Sequence, residues 1–306
     1  MPPRRIAATL GALAAAVTTA GSCTAGTPGS TATGTATTVT ATVTATSTPT
    51  GTAAAPTLPR YDHVVIAVFE NHRYGAVINN PNAPYLSALA AQGATFTQSF
   101  GVTHPSQPNY LALYSGSTQG ITDDSCPHTF SGDNLGRQLA AAGRTFAGYS
   151  ESMPSDGYPG CTGGRYARKH NPWVNFSTVH ASANLPLSAF PADPAGLPTL
   201  SFVIPNLCSD MHDCSVPTGD AWARDHLDGY AQWARTHNSL LVLTFDEDDS
   251  TGGNPIPTVF VGQGVVAGSY AEHIDHYTVL RTLEDMYGLP ALGSAASRTA
   301  IGDIWG

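Results

Sequence analysis

The chain has 306 residues, of which 42% are hydrophobic, and this is enough for one large domain with a sizeable core. Its formal net charge is −9 and Lys169 is its single lysine, which argues against nucleic acid and anionic membrane surfaces as partners. An anionic ligand would have to meet either the basic residues at 165–169 or a metal ion held by carboxylates. We expect the protein to be a monomer.

The first 22 residues have the layout of a signal peptide. Arg4 and Arg5 precede an apolar run at 6–17, which is too short to span a membrane permanently, and small residues follow it. This pattern predicts export. Residues 20–23 suit an ordinary signal peptidase and also resemble a bacterial lipobox, in which Cys23 would become a lipid-modified amino terminus. The mature protein is therefore expected to be either secreted or a cell-surface lipoprotein anchored through Cys23.

The cysteine count favours the lipoprotein alternative. The chain has five cysteines, and setting Cys23 aside leaves an even number, which suits two disulfides in an oxidising compartment. Four cysteines allow three pairings. We favour Cys126 with Cys161 and Cys208 with Cys214.

Residues 23–58 form a predicted stalk before the globular part. They are almost wholly Thr, Ala, Ser, Gly and Pro, a composition that cannot bury enough apolar surface to fold. We therefore expect this segment to be disordered and the globular domain to occupy 59–306.

The globular part alternates predicted strands with predicted helices. Continuous apolar or β-branched runs predict strands at 63–69, 94–100, 145–149, 200–204, 239–245 and 258–262. Apolar residues at helical spacing, several closed by glycine, predict helices at 83–92, 134–143, 219–237 and 276–287. Residues 151–198 show little periodicity and are expected to form a long loop excursion that carries the basic residues over the site. This order predicts an α/β fold, a doubly wound and mostly parallel sheet with helices on both faces.

The stretch 103–110 stands between a predicted strand and a predicted helix. Pro108 suits the first helical turn, so Ser106 is expected at the helix start, facing free N–H groups and the positive end of the helix dipole. An oxyanion such as phosphate binds well at that place. The sequence alone also allows Ser106 to be no more than a helix cap.

Three predicted strands end in polar side chains of the kind that bind metal ions. They are Glu70 with Asn71, Asn206 with Asp210, and Asp246 with Glu247. The carboxyl ends of parallel strands lie at one edge of a sheet, so these groups are expected to converge there with Ser106 and with His276. Oxygen ligands with one or two histidines suit Ca²⁺, Mg²⁺, Mn²⁺, Fe or Zn²⁺, and the sequence does not choose among these cations.

Six motifs in one order resemble the phosphoesterase family of bacterial and fungal acid phosphatases and phospholipases C, part of the alkaline phosphatase superfamily. The matching segments are HVVIAVFENH (63–72), THPSQPNY (103–110), RKHNPW (168–173), PNLCSDMHD (205–213), TFDEDD (244–249) and HYTVLRTLED (276–285). The resemblance covers nearly the whole globular part and implies an alkaline phosphatase-like fold.

The resemblance also implies roles for residues of this chain. Ser106 corresponds to the nucleophile that takes the phosphoryl group, and His276 is assigned with it to catalysis. The residues implied for a divalent metal site are Glu70, Ser106, Asp210, Asp246 and Glu247. The residues implied for substrate binding are Asn71, His104, Arg168, Lys169, His170, Asn206 and His212.

Within the family, the chain resembles the shorter monoester phosphatases, including secreted bacterial acid phosphatases that act on phosphatidylinositol 3-phosphate. We therefore expect an exported, metal-dependent phosphomonoesterase whose substrate is a phosphate ester, with a phosphoinositide as one candidate. A phospholipase C-type phosphodiesterase is the closest alternative. A serine acyl hydrolase using Ser106 with His276 and a non-catalytic surface binding module are two others, although no Gly-x-Ser-x-Gly motif surrounds Ser106.

Overall fold

The computed structural model describes residues 58–306. The predicted signal peptide, Cys23 and all but the last residue of the predicted stalk lie outside the described residues. Within this part of the chain, none of the helices combines the length and the hydropathy needed to cross a lipid bilayer.

A large sheet and six α-helices make up the described part of the chain. The strands are β1 (His63–Phe69), β2 (Ala94–Phe100), β3 (Phe146–Ser150), β4 (Thr162–Gly163), β5 (Tyr166–Ala167), β6 (Asn184–Pro186), β7 (Leu200–Ile204), β8 (Ser239–Phe245), β9 (Thr258–Gly262) and β10 (Gly268–Asp275). The helices are α1 (Tyr74–Val77), α2 (Pro84–Gln92), α3 (Ser106–Ser115), α4 (Leu135–Ala141), α5 (Val216–Ala234) and α6 (His276–Tyr287).

Eight strands form the sheet in the order β10-β2-β9-β8-β1-β7-β3-β6, while β4 and β5 pair separately. Only β9 is antiparallel to its neighbours β2 and β8; the other pairs in the sheet are parallel. The strand β1 lies at the centre between β8 and β7. Its register with β8 runs without a break from His63 opposite Ser239 to Phe69 opposite Phe245. The two strands therefore end at the same level.

Alternate side chains of β1 pack on opposite faces of the sheet. Val64, Ile66 and Val68 join a buried cluster with apolar residues of α3, α4 and α6. Val65, Ala67 and Phe69 join a second cluster with residues of α2 and α5. Burial on both faces explains why β1 reads as an unbroken apolar run. The predicted doubly wound, mostly parallel α/β fold is confirmed.

The structure contains elements that were not expected, among them α1, β10 and the short strands β4, β5 and β6. The strand β10, at the edge of the sheet, was not predicted, because half of its residues are exposed and it has no apolar run. The excursion at 151–198 contains short strands and several 3-10 turns, including Arg168–His170 and Pro172–Asn175. Disulfides join Cys126 to Cys161 and Cys208 to Cys214, which is the pairing that the sequence favoured.

Candidate functional site

The residues that directly follow the two central strands, β1 and β8, lie next to each other. Glu70 follows β1 and Asp246 follows β8, and the matched register places them side by side at the carboxyl edge of the sheet. The amide N–H of Asp246 donates to the carbonyl oxygen of Phe69 at 3.0 Å, so the pairing continues one step beyond the strands. Both side chains are buried. The convergence that the sequence predicted at this edge is present.

Ser106 is the first residue of α3, as expected, and its side chain is buried against two carboxylates. The hydroxyl donates to Glu70 Oε2 at 2.9 Å, and Glu247 Oε1 lies 3.4 Å from the same oxygen. One expectation is corrected here. The first-turn N–H of Gln107 is not free for an anion, because it donates to Asp124 Oδ1 at 2.9 Å. The candidate nucleophile Ser106 therefore lies next to the carboxylates of Glu70 and Glu247, and Asp124 already caps one N–H at its end of α3.

Asn71 joins the two strand-end acids. Its backbone is left-handed, with φ of 55°, a conformation that asparagine tolerates better than most residues. In this conformation its amide N–H donates to Asp246 Oδ1 at 3.1 Å and its side-chain Nδ2 donates to Glu70 Oε2 at 3.0 Å. Asn71 therefore orients both carboxylates.

The second oxygen of Glu70 is held by an aromatic pair. Tyr110 donates its hydroxyl to Glu70 Oε1 at 2.6 Å, and His170 Nε2 lies 3.1 Å from that oxygen. The two rings stack with their centroids 5.0 Å apart. Sequence reasoning missed Tyr110, although its position four residues after Ser106 puts both side chains on one face of α3.

His170 also approaches Asp210, which follows β7. The distance from His170 Nδ1 to Asp210 Oδ2 is 3.3 Å, and both side chains are buried. One ligand atom each of Glu70, His170 and Asp210 can be chosen so that all three lie within 4.8 Å of one another. The sequence analysis grouped His170 with substrate-binding residues, whereas the structure places it between two of the proposed metal ligands.

The outer side of the cluster carries two histidines and the single lysine. His104 Nδ1 lies 2.6 Å from Glu247 Oε2, and the histidine side chain is 40% exposed. Lys169 Nζ lies 2.8 Å from Asp124 Oδ2 and 3.2 Å from His212 Nε2. These side chains form the rim of the site, between the buried acids and solvent.

The acids of the site hold their protons more tightly than ordinary carboxyls. Burial raises the pKa of Glu70 well above its usual range, and the neighbouring charges of Asp246 and Asp210 raise it further. Burial, with the charge of Glu247, raises the pKa of Asp246 to about 8. Burial likewise raises the pKa of Asp210 and of Glu247 to about 7. The positive charge of Lys169 at the rim lowers the pKa of Glu70, Asp210 and Glu247, but burial outweighs it.

The donor set fits a hard divalent cation. Buried oxygens of Asp210 and Asp246 have no hydrogen-bond partner among the described residues, and neither has Nδ1 of His276. The other ring nitrogen of His276 lies 2.7 Å from the carbonyl oxygen of Asp246, so it carries the proton and leaves Nδ1 with a free lone pair. A histidine that donates one N–H to a carbonyl and offers the other nitrogen is the usual arrangement of a metal ligand. The described residues thus contain a candidate carboxylate and histidine metal site.

Two residues assigned to substrate binding make hydrogen bonds within the loops that surround the site. The Asn206 side-chain oxygen accepts the N–H groups of Cys208 and Ser209, and its Nδ2 donates to Ser152. It fixes the turn that carries Asp210, as asparagine often does.

Arg168 is the second such residue. Its buried guanidinium donates to the carbonyl oxygens of Pro159, His128 and Val174 and to the side chain of Asn175. With its donors engaged in this way, Arg168 holds the excursion together in this structure, and its assignment to substrate binding stays a prediction.

The comparisons with known proteins show the family of the chain. The model of the phosphoesterase family matches residues 76–290. A phosphatidylinositol-3-phosphatase of Mycobacterium tuberculosis is 53% identical over 256 residues, which cover 83% of this chain and 86% of that protein. A probable acid phosphatase of Kluyveromyces lactis is 32% identical over 232 residues, covering 68% of this chain. The chain spans about half the length of that yeast relative, 54%.

Among solved structures, a protein of the alkaline phosphatase superfamily from Vibrio parahaemolyticus shares the fold. Its TM-score is 0.55 with 12% sequence identity, and the match covers 81% of this chain and 72% of the other. At this identity the similarity concerns the fold alone.

Proposed function

The chain belongs to the phosphoesterase family and is a phosphatase, and we propose that it hydrolyses phosphomonoesters through a phosphoserine at Ser106 with the help of a divalent cation. The observation that carries the mechanism is the position of the Ser106 hydroxyl. It lies 2.9 Å from Glu70 Oε2 and 3.4 Å from Glu247 Oε1, at the start of a helix and at the edge of the sheet where Asp246 also lies. No imidazole contacts this hydroxyl among the described residues, which argues against an acyl hydrolase.

We assign the cation to the buried acids around Ser106. Glu70, Asp246 and Glu247 would hold it together with the Ser106 oxygen, and His170, Asp210 and His276 offer further ligand atoms nearby. Such a cation would lower the pKa of the serine hydroxyl and neutralise charge on the phosphoryl oxygens. The supporting observation is the unpartnered buried oxygen of Asp246 and the raised pKa of its carboxyl.

The side chains of the site have different roles in the reaction. The Ser106 hydroxyl gives its proton to solvent, and its oxygen then attacks phosphorus in line with the leaving group, where the positive end of α3 faces the developing negative charge. Asn71 and Tyr110 keep the carboxylates oriented, while Lys169 at the rim receives the phosphate. His104 and His212 lie between the acids and solvent, and we assign to them the proton that the leaving oxygen takes up. Water then hydrolyses the phosphoserine by the reverse arrangement.

A phosphoinositide monoester is the substrate that we propose. The supporting observation is the relative named phosphatidylinositol-3-phosphatase, which is 53% identical and matched over most of its length. Phospholipase C-type cleavage of phosphodiesters is the second candidate, because the family that the sequence resembles includes such enzymes. A phosphodiester differs from a monoester in carrying a second alkyl group on its phosphate.

Rates on p-nitrophenyl phosphate and on bis-p-nitrophenyl phosphate test this proposal. After chelation, the protein is assayed with each of Ca²⁺, Mg²⁺, Mn²⁺, Fe²⁺ and Zn²⁺ added back. We expect metal-restored hydrolysis of the monoester at least about tenfold faster than that of the diester, a difference of about 1.4 kcal/mol in activation free energy. A faster diester would establish the phospholipase C-type alternative. Metal-independent cleavage of a nitrophenyl acyl ester alone, or no turnover of any ester, would overturn the proposal.

We propose that the protein is exported and anchored through Cys23. The signal-like residues 1–22 support export, and two disulfides are of the kind found in oxidising compartments. Palmitate labelling of the full chain in a bacterial host should mark the wild-type protein and not the Cys23→Ala variant. Label that persists in this variant, or its absence from both proteins, would contradict the anchor.

A further inference from the structure

Asp124 lies outside the family motifs and contacts two parts of the site at once. Its Oδ1 accepts the backbone N–H of Gln107, the residue after Ser106, at 2.9 Å. Its Oδ2 lies 2.8 Å from Lys169 Nζ. One carboxylate therefore joins the first turn of the nucleophile helix to the single lysine of the chain.

The contact to α3 replaces a missing helix cap. The residue before the helix, Pro105, offers no side-chain cap, so the first-turn N–H groups need other acceptors. Asp124 supplies one of them from a distant loop. The buried side chain of Gln107 reinforces the contact by donating to the carbonyl oxygen of Ser125 at 2.9 Å. The segment 123–125 is thereby fixed against the start of α3.

The contact to Lys169 restrains a long flexible side chain. The lysine side chain is only 18% exposed, and its ammonium also lies 3.2 Å from His212 Nε2. The backbone around it is anchored independently of Asp124, because the neighbouring Arg168 is bound to several carbonyl groups. The disulfide between Cys126 and Cys161 further ties the two loops to each other. What Asp124 adds is the position of the ammonium itself.

We propose that Asp124 is a positioning residue that holds the Lys169 ammonium over the Ser106 end of α3, where it binds the phosphate of the substrate. This inference rests on the proposed function, since it takes Lys169 as a phosphate ligand. A freely rotating lysine would have to lose rotamer entropy each time a substrate binds. The paired ammonium is already in place.

The Asp124→Asn variant separates this role from helix capping. Asparagine caps a helix about as well as aspartate, so the contact to Gln107 N–H is retained, while the charge that attracts Lys169 is lost. We expect KM for p-nitrophenyl phosphate and Ki for inorganic phosphate to rise together by about tenfold, with kcat changed by less than about threefold. Asp123→Asn is the matched control, because the Asp123 side chain is exposed and, among the residues that the structure describes, accepts hydrogen bonds only from Ser125.

A double-mutant cycle tests whether Asp124 acts through the lysine. If it does, Asp124→Asn combined with Lys169→Met should be no weaker in phosphate binding than Lys169→Met alone. Effects that multiply, or wild-type KM and Ki in Asp124→Asn, would overturn the inference. Should Asp124→Asn melt well below the wild type, Lys169→Met decides, because it leaves the contact of Asp124 to Gln107 in place: KM and Ki raised by about tenfold support the role of the ammonium, and wild-type values overturn it. Failure of the proposed function is distinguishable, because the wild type would then lack phosphatase activity altogether.

Discussion

Replacing Ser106 with alanine should lower kcat for p-nitrophenyl phosphate by about 10⁴-fold or more, because it removes the atom that accepts the phosphoryl group. Glu70 keeps its hydrogen bonds from Asn71 and Tyr110 when the Ser106 oxygen is lost, so the rest of the site should keep its structure. Acid quenching of the wild type during turnover of a ³²P-labelled monoester should trap label on Ser106. The variant should trap none.

Ser115→Ala is the matched control for this experiment. Ser115 ends the same helix, is also buried, and donates its hydroxyl to the carbonyl oxygen of Leu111. Its loss should cost about 1 kcal/mol of stability and leave kcat unchanged within a factor of about two. A Ser106→Ala variant that retained a tenth of the wild-type kcat would refute the covalent route and would indicate direct attack by water.

Much of the site could be predicted because it follows from the ends of buried strands. The strands β1 and β8 were predicted with their observed bounds, since each is a continuous apolar run that stops at an acid. Parallel pairing then determines that Glu70 and Asp246 emerge together. No knowledge of loops was needed for this step.

Two assignments that the contacts do not support depend on which partners a polar side chain meets in its own loop. Asn206 stands opposite Glu70 if the β1 and β7 register is continued, yet its side chain is used to close its own turn. Arg168 stands next to Lys169 in sequence, but its guanidinium meets backbone carbonyls of the excursion. Residue type and spacing do not distinguish these uses, because carbonyl groups are present wherever the chain turns.

The contacts that the sequence did not reveal are long-range pairings of irregular segments. Asp124 meets Lys169 across 45 positions of the chain, and neither residue lies in a regular strand or α-helix. The strand β10 lacks an apolar run because it lies at the sheet edge with half of its residues exposed. Periodicity identifies buried elements, so exposed and irregular ones escape it.

Replacing Asp246 with asparagine should have opposite effects on activity and on the stability of the metal-free protein. The variant keeps the shape of the side chain and its contact to Asn71 N–H but loses a negative charge from the proposed cation site. With metal present, kcat/KM should fall by roughly 10²- to 10³-fold, and metal affinity measured by titration calorimetry should fall with it. Asp249→Asn is the control, because Asp249 is an exposed acid of the same run and pairs with Arg73.

The stability effect follows from the pKa of Asp246, which rises from 3.8 to about 8 on burial. Below pH 3.8 the carboxyl is protonated in both the folded and the unfolded chain, so the substitution should change little. Between that pH and about 8 the unfolded chain releases a proton that the folded chain retains, so the wild type loses stability as pH rises. In chelator above this range the variant should be more stable, by roughly 1 to 3 kcal/mol in urea unfolding.

Measuring the stability of both proteins with metal present tests whether Asp246 binds the cation. A cation bound only to the folded wild type should add stability by mass action and reverse the order of the two proteins. If Asp246→Asn changes the stability of the protein by the same amount with chelator and with metal, then the cation does not bind at Asp246 and lies elsewhere. The proposal predicts that Asp246→Asn is more stable than the wild type in chelator and less stable with metal, while Asp249→Asn follows the wild type in both conditions. This result would show that the charge of Asp246 destabilises the metal-free protein and binds the cation.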